Sequence, residues 1–202
     1  MHISDGVLPV EVVVGAGVVT AGIAAALLAR TEGEKIPRVA LCTSFFFVAS
    51  LVHVPLGPTS VHLLLIGLVG VIMGRLAFLP VLFGLILQAL LLQHGGVTTI
   101  GVNALMMGPP AYVGYGIFRL GGRGPSAARD AVFGFLAGSV PVAVAALLLA
   151  GVLMTAGSSF FGVARLALLA HLPVAIVEGL VTAFVVGLLR KAKPEMLEGS
   201  DA

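Results

Sequence analysis

Residues 161–189 read FGVARLALLAHLPVAIVEGLVTAFVVGLL, a run in which only Arg165 and Glu178 carry charge. An α-helix needs about 20 mainly apolar residues to cross the hydrocarbon of a bilayer, and this run exceeds that length. Upstream, six more apolar stretches follow one another, at about Leu8 to Ala29, Val39 to Val54, Val61 to Met73, Leu76 to Leu92, Ile100 to Phe118 and Ala131 to Leu153. The third is short for a full span. Polar punctuation divides them: the charged linker Arg30 to Arg38, the segment Pro55-Leu56-Gly57-Pro58-Thr59-Ser60, Gly74-Arg75, Gln93-His94-Gly95-Gly96, and the Gly/Arg-rich linker Arg119 to Asp130. This pattern predicts an all-α, polytopic membrane helix bundle of about seven transmembrane helices. Residues 1–190 are expected to form a single transmembrane domain. A charged, disordered cytoplasmic tail is expected over 191–202, with the charges starting at Arg190.

Composition agrees. Hydrophobic residues make up 59 % of the 202 and charged residues 10 %, where a soluble domain carries roughly 25 % charged. Mean hydropathy is +1.15. The 27 glycines suit helices that pack closely inside a membrane. On the first helix, Ala21, Ala25 and Ala29 recur at i, i+4, i+8, a face that either packs inside the bundle or meets a membrane partner. The lone Cys42 excludes an intrachain disulfide and a cysteine-rich metal cluster.

The positions of the basic residues choose an orientation. With the N-terminus outside, the cytoplasmic segments hold Arg30, Lys35, Arg38, Arg75, Arg119, Arg123, Arg129, Arg190, Lys191 and Lys193, which is 10 of the 11 Lys and Arg. Only Arg165 falls outside. The net charge of +2 therefore reflects topology and implies no nucleic-acid partner. In the same arrangement His2, His53, His62 and His94 gather at the outer face, with His171 a few residues into the last span. Imidazoles on the outer half suit a cation arriving from outside.

Histidine at position 2 has its own chemistry. A free α-amine, the backbone nitrogen of His2 and its Nδ1 close a five- and a six-membered ring on one metal, giving three nitrogens in a plane. A fourth nitrogen completes the square-planar set that suits Ni(II) or Cu(II). The opening Met1-His2-Ile3-Ser4-Asp5 has no basic n-region, so the mature chain is expected to begin at its own ligand.

Four segments, in order, carry a resemblance: Met1-His2-Ile3-Ser4-Asp5-Gly6-Val7-Leu8-Pro9, Pro58-Thr59-Ser60-Val61-His62, residues 88–103 (QALLLQHGGVTTIGVN), and Pro173-Val174-Ala175-Ile176-Val177-Glu178-Gly179. Together they resemble the CbiM/NikM family, the substrate-capture components of energy-coupling-factor importers for cobalt and nickel. The resemblance implies an N-terminus folded back into the bundle. Met1 would supply its amine, His2 its amide and imidazole nitrogens, and His62 the fourth nitrogen. It also implies cobalt(II) or nickel(II) as transported substrate, a transmembrane coupling (T) subunit, cytoplasmic ABC-type ATPases and a small accessory membrane protein. The location implied is the bacterial or archaeal inner membrane.

Other polar residues have plainer readings beside these. His53 ends a span as an imidazole bonded to a carbonyl, His94 shapes a loop or supports a ligand, and His171 is a buried polar contact. Asn103 either supports a ligand or bonds one helix to another, and Ser60 is a further supporting candidate beside His62. Glu178 lies near mid-membrane, where an ionisable group is costly; it is neutral or paired. No Gly-x-x-x-x-Gly-Lys-[Ser/Thr] loop and no His-Glu-x-x-His pair occurs, so ATP would be handled by other subunits and no metalloprotease is expected. The alternatives are a secondary metal transporter with Glu178 as proton carrier, or a membrane metalloenzyme.

Overall fold

The computed structural model describes residues 2–56, 59–121 and 126–197, and at 53–56 and 59–61 the backbone only. Among these are seven helices: α1 (Val10–Leu28), α2 (Ile36–Ala49), α3 (Ile66–Met73), α4 (Phe78–Leu92), α5 (Ile100–Leu120), α6 (Ala127–Thr155) and α7 (Phe161–Ala192). Three helical segments are by themselves long and apolar enough to cross a bilayer: Val10–Leu28, Ala127–Thr155 and Ser158–Ala192. The helical bundle is the one hydropathy leads to.

One addition was not legible. The stretch expected to end the second span and begin the third is a short antiparallel hairpin, β1 (His53–Leu56) and β2 (Thr59–His62), with His53 opposite His62 and Pro55 opposite Ser60. Short apolar runs look alike whether they become helix or strand. Pro55, whose amide nitrogen carries no hydrogen for a helix to use, falls in β1.

The hairpin explains the short third helix. α3 starts only at Ile66, and all eight of its residues are buried, so it is enclosed by other helices and meets no lipid along its length. Its two glycines make that possible. A Cβ on Gly67 would lie 2.0 Å from the carbonyl oxygen of Ala137 in α6, and one on Gly70 would lie 2.0 Å from that of Ala111 in α5. Only bare backbone fits.

α1 is the opposite case, lying against the bundle with only Thr20 and Ala24 buried. Thr20 donates a hydrogen bond to the carbonyl of Gly101 in α5 (3.0 Å), where the Gly101 and Gly17 backbones come close. The inward face is thus Gly17, Thr20 and Ala24, while Ala21, Ala25 and Ala29 are exposed, against the inside-packing alternative for that series.

The C-terminal residues also differ from expectation. α7 runs on to Ala192, a 3₁₀ turn covers Pro194–Met196, and Leu197 is buried with Val71, Phe118, Ala137 and Val186. Arg38 of α2 donates to the Met196 carbonyl, and Arg190 forms a two-point pair with Asp130 at 2.8 and 3.0 Å. The disorder expected from Arg190 onward therefore does not hold as far as 197. A leucine among the charges gave the tail an apolar anchor.

Candidate metal centre

The residues before α1 form a strap lying against the starts and ends of other helices. Ile3 is its anchor, at 1 % exposure. Its N–H donates to Oδ1 of Asn103 (2.9 Å), and its carbonyl accepts from Asn103 Nδ2 (3.1 Å) and from Thr99 Oγ1 (2.7 Å). A side-chain amide that pairs with both backbone groups of one residue imitates a strand partner. It satisfies a buried N–H and C=O that would otherwise each cost about 1–3 kcal/mol. Further along, Asp5 accepts from the Thr98 hydroxyl and from the Thr98 N–H, and the hydroxyl holds its carboxyl below the usual range.

The Gly95-Gly96 turn makes room for this strap. A Cβ on Gly95 would come within 3.2 Å of the His2 Cβ, and one on Gly96 within 1.9 Å of Asp5 Oδ1. Gly95 also has φ of +77°, a conformation that glycine adopts without strain. The QHGG stretch is therefore a seat for the strap.

His2 is brought to His62 by this arrangement. Nε2 of His2 bonds to Oε1 of Gln88 in α4 (2.7 Å), and Nδ1 of His62 bonds to the Leu63 carbonyl (2.8 Å). Both partners are oxygens that can only accept, so each of those ring nitrogens carries the proton. The remaining two, His2 Nδ1 and His62 Nε2, face each other at 3.3 Å. Burial holds both imidazoles well below the ordinary histidine value, so both rings are neutral near pH 7. Two nitrogens bound side by side on one ion, with bonds of about 2.0 Å at right angles, would be about 2.8 Å apart. The pair is close to that spacing.

His94 stands beside them, its ring centroid 6.0 Å from that of His2 and 6.1 Å from that of His62. Even so, no three His, Cys, Asp or Glu side chains among the described residues converge to hold one ion. A site here needs donors other than side chains. A cavity of about 250 Å³ lies beside His2, between the strap at Ile3, Ser4 and Val7 and the apolar residues Leu149 and Leu153 of α6.

Of the residues singled out from sequence, His2, His62, His94 and Asn103 come together. Met1 lies outside the described residues, as does the side chain of Ser60. Asn103 grips the strap backbone and makes neither of the two contacts weighed for it. The ring partner is Gln88, which sequence reasoning passed over. It was findable by the signal that flagged Asn103, an uncharged amide inside an apolar helix. His171 donates from Nδ1 to its own helix at Ala167 (2.6 Å), as a buried polar contact.

The model of the CbiM family, described as the cobalt uptake substrate-specific transmembrane region, matches residues 2–196. The chain belongs to the CbiM family. Its members are components of metal transport and not enzymes. It is 37 % identical to a putative metal transport protein of Haemophilus influenzae, over all of this chain and 98 % of that one. It is 36 % identical to the cobalt transport protein CbiM of Sorangium cellulosum, covering 98 % and 95 % of the two. A fused nickel transport protein, NikMN of Rhodobacter capsulatus, shares 33 % identity over 82 % of this chain and 54 % of that one. Among solved structures, a transition metal transporter superposes with a TM-score of 0.77 at 25 % identity, covering 95 % of this chain and 93 % of that one. This CbiM-family chain therefore has the fold of a metal transporter over nearly its whole length.

Proposed function

We propose that this chain captures cobalt(II) or nickel(II) at the outer face of a bacterial or archaeal inner membrane, as the substrate-binding subunit of an ATP-driven importer. The ion is held in a plane by the amine of Met1, the amide nitrogen and Nδ1 of His2, and Nε2 of His62. The observation that carries this reading is the 3.3 Å approach of His2 Nδ1 and His62 Nε2, while the other nitrogen of each ring bonds to an acceptor oxygen. Relatives named for cobalt transport in one case and nickel transport in another fit one nitrogen site, since both metals accept it.

The N-terminus faces outward because ten of the eleven basic residues then fall on the cytoplasmic side. A transmembrane coupling subunit and cytoplasmic ATPases supply the energy, as the chain has no phosphate-binding loop. A small accessory membrane protein completes the assembly.

His62→Ala tests the assignment. It is expected to weaken nickel binding by at least the tenfold to hundredfold, roughly, that loss of an outer partner already costs a metal site. Wild-type affinity in calorimetric titration of this variant would remove His62 from the ligand set.

Protons provide a second test. The two imidazoles are neutral at and above pH 6.5, because burial lowers their proton affinity. Protons released on metal binding then come from the amine, with an ordinary value of about 8, and from the His2 amide. Binding should release about two protons at pH 6.5 and about one above pH 9, so affinity rises with pH throughout. Titration calorimetry in buffers of different ionisation heat counts them. A count of zero at both pH values contradicts the amide-bound chelate.

A further inference from the structure

Glu178 is fully buried near the middle of α7, and its carboxylate points at the residues that follow His62. Oε1 accepts from the Leu64 N–H, and both oxygens accept from the Leu65 N–H at 2.8 Å. Leu65 has φ of +52°, a left-handed conformation that leucine rarely adopts, and it turns the chain directly into α3. A helix start leaves its first amides without partners and carries partial positive charge, so a carboxylate satisfies both. The same turn sets the Leu63 carbonyl, which fixes the proton of His62.

The two facing imidazoles are thus held from different places. His2 hangs on Gln88 of α4 and, through Ile3, on Asn103 of α5. His62 is tied through Leu64 and Leu65 to α7. α6 lies backbone to backbone against α7 at this level, since a Cβ on Gly138 would lie 2.5 Å from the Glu178 carbonyl oxygen.

We propose that Glu178 is a positioning residue for His62: its clamp on the Leu64 and Leu65 amides holds Nε2 at coordinating distance. The proposal rests on the reading of His2 and His62 as ligands.

The test is nickel(II) titration of detergent-solubilised protein with a free N-terminus, followed by the visible absorption of the bound ion. Glu178→Leu keeps the volume and removes both acceptors; Glu178→Gln keeps one acceptor oxygen. The Leu variant should bind about tenfold to hundredfold more weakly, with the absorption band moved to where His62→Ala puts it. The Gln variant should return close to wild type. The double variant Glu178→Leu/His62→Ala should lose no more than His62→Ala alone, since two residues acting on one ligand do not add. Additive losses, or a Leu variant with the wild-type band and affinity, overturn the proposal. Wild-type binding by His62→Ala instead overturns the ligand assignment beneath it. Should the Leu variant not fold, amide exchange of the metal-free wild type decides: slow exchange at Leu64 and Leu65 supports a preformed clamp, and fast exchange refutes it.

Discussion

A long N-terminal tag before Met1, or acetylation of its amine, is expected to abolish nickel and cobalt binding, while a tag after Ala202 leaves it intact. The expectation comes from ring sizes. The amine and the His2 amide nitrogen close a five-membered ring on the ion, and the amide and Nδ1 close a six-membered one. Acetylation turns the amine into an amide, whose nitrogen binds only after losing a tightly held proton, and a long tag carries the free amine away from the site altogether. The loss should be about a thousandfold or more, some 4 kcal/mol, because a water in the vacated place brings no chelate ring. The strap leaves no slack for re-registration: Ile3 is tied by both its backbone groups to Asn103, so sliding by one residue breaks those bonds. Calorimetry on an N-terminally tagged protein before and after tag removal to Met1 measures it. Equal affinity in both forms would remove the amine from the site.

Asn103→Leu should release the strap. The substitution preserves bulk but leaves the N–H of Ile3 buried without its acceptor and weakens the hold on its carbonyl, which keeps only the Thr99 hydroxyl. At about 1–3 kcal/mol for each buried group left unsatisfied, the docked strap loses enough to move His2 away from His62. Metal affinity should fall about tenfold to a hundredfold, although Asn103 donates nothing to the ion. Proteolysis gives an independent readout: cleavage near residues 3–6 should become fast in the variant and stay slow in the wild type. A variant that binds nickel normally would show the strap to be held elsewhere.

Much of the bundle was written in hydropathy. α4 at Phe78–Leu92 and α5 at Ile100–Leu120 fall within two residues of the apolar runs that announce them, since a lipid-exposed or buried helix must be apolar over its length. α3 and the hairpin were not separable. A buried strand and a buried helix make the same demand for apolar side chains over four to eight residues, and only the hydrogen-bonding partner differs. The inner face of α1 was missed for a related reason. Small residues occur on both sides of it, and which side meets Gly101 depends on a helix some eighty residues away.

The sequence by itself determined a membrane bundle and histidines set apart from the basic loops, because these depend on residue type and on neighbours along the chain. The Met-His chelate proposed above was read from the same local chemistry. Tertiary structure alone decided that His2 faces His62 at 3.3 Å, that Gln88 and the Leu63 carbonyl direct the lone pairs, and that Glu178 reaches across from α7. Each of these joins atoms brought together by the packing of different helices or by the turn into α3. Separations of 60, 86 and 113 residues carry no local signal in composition or period.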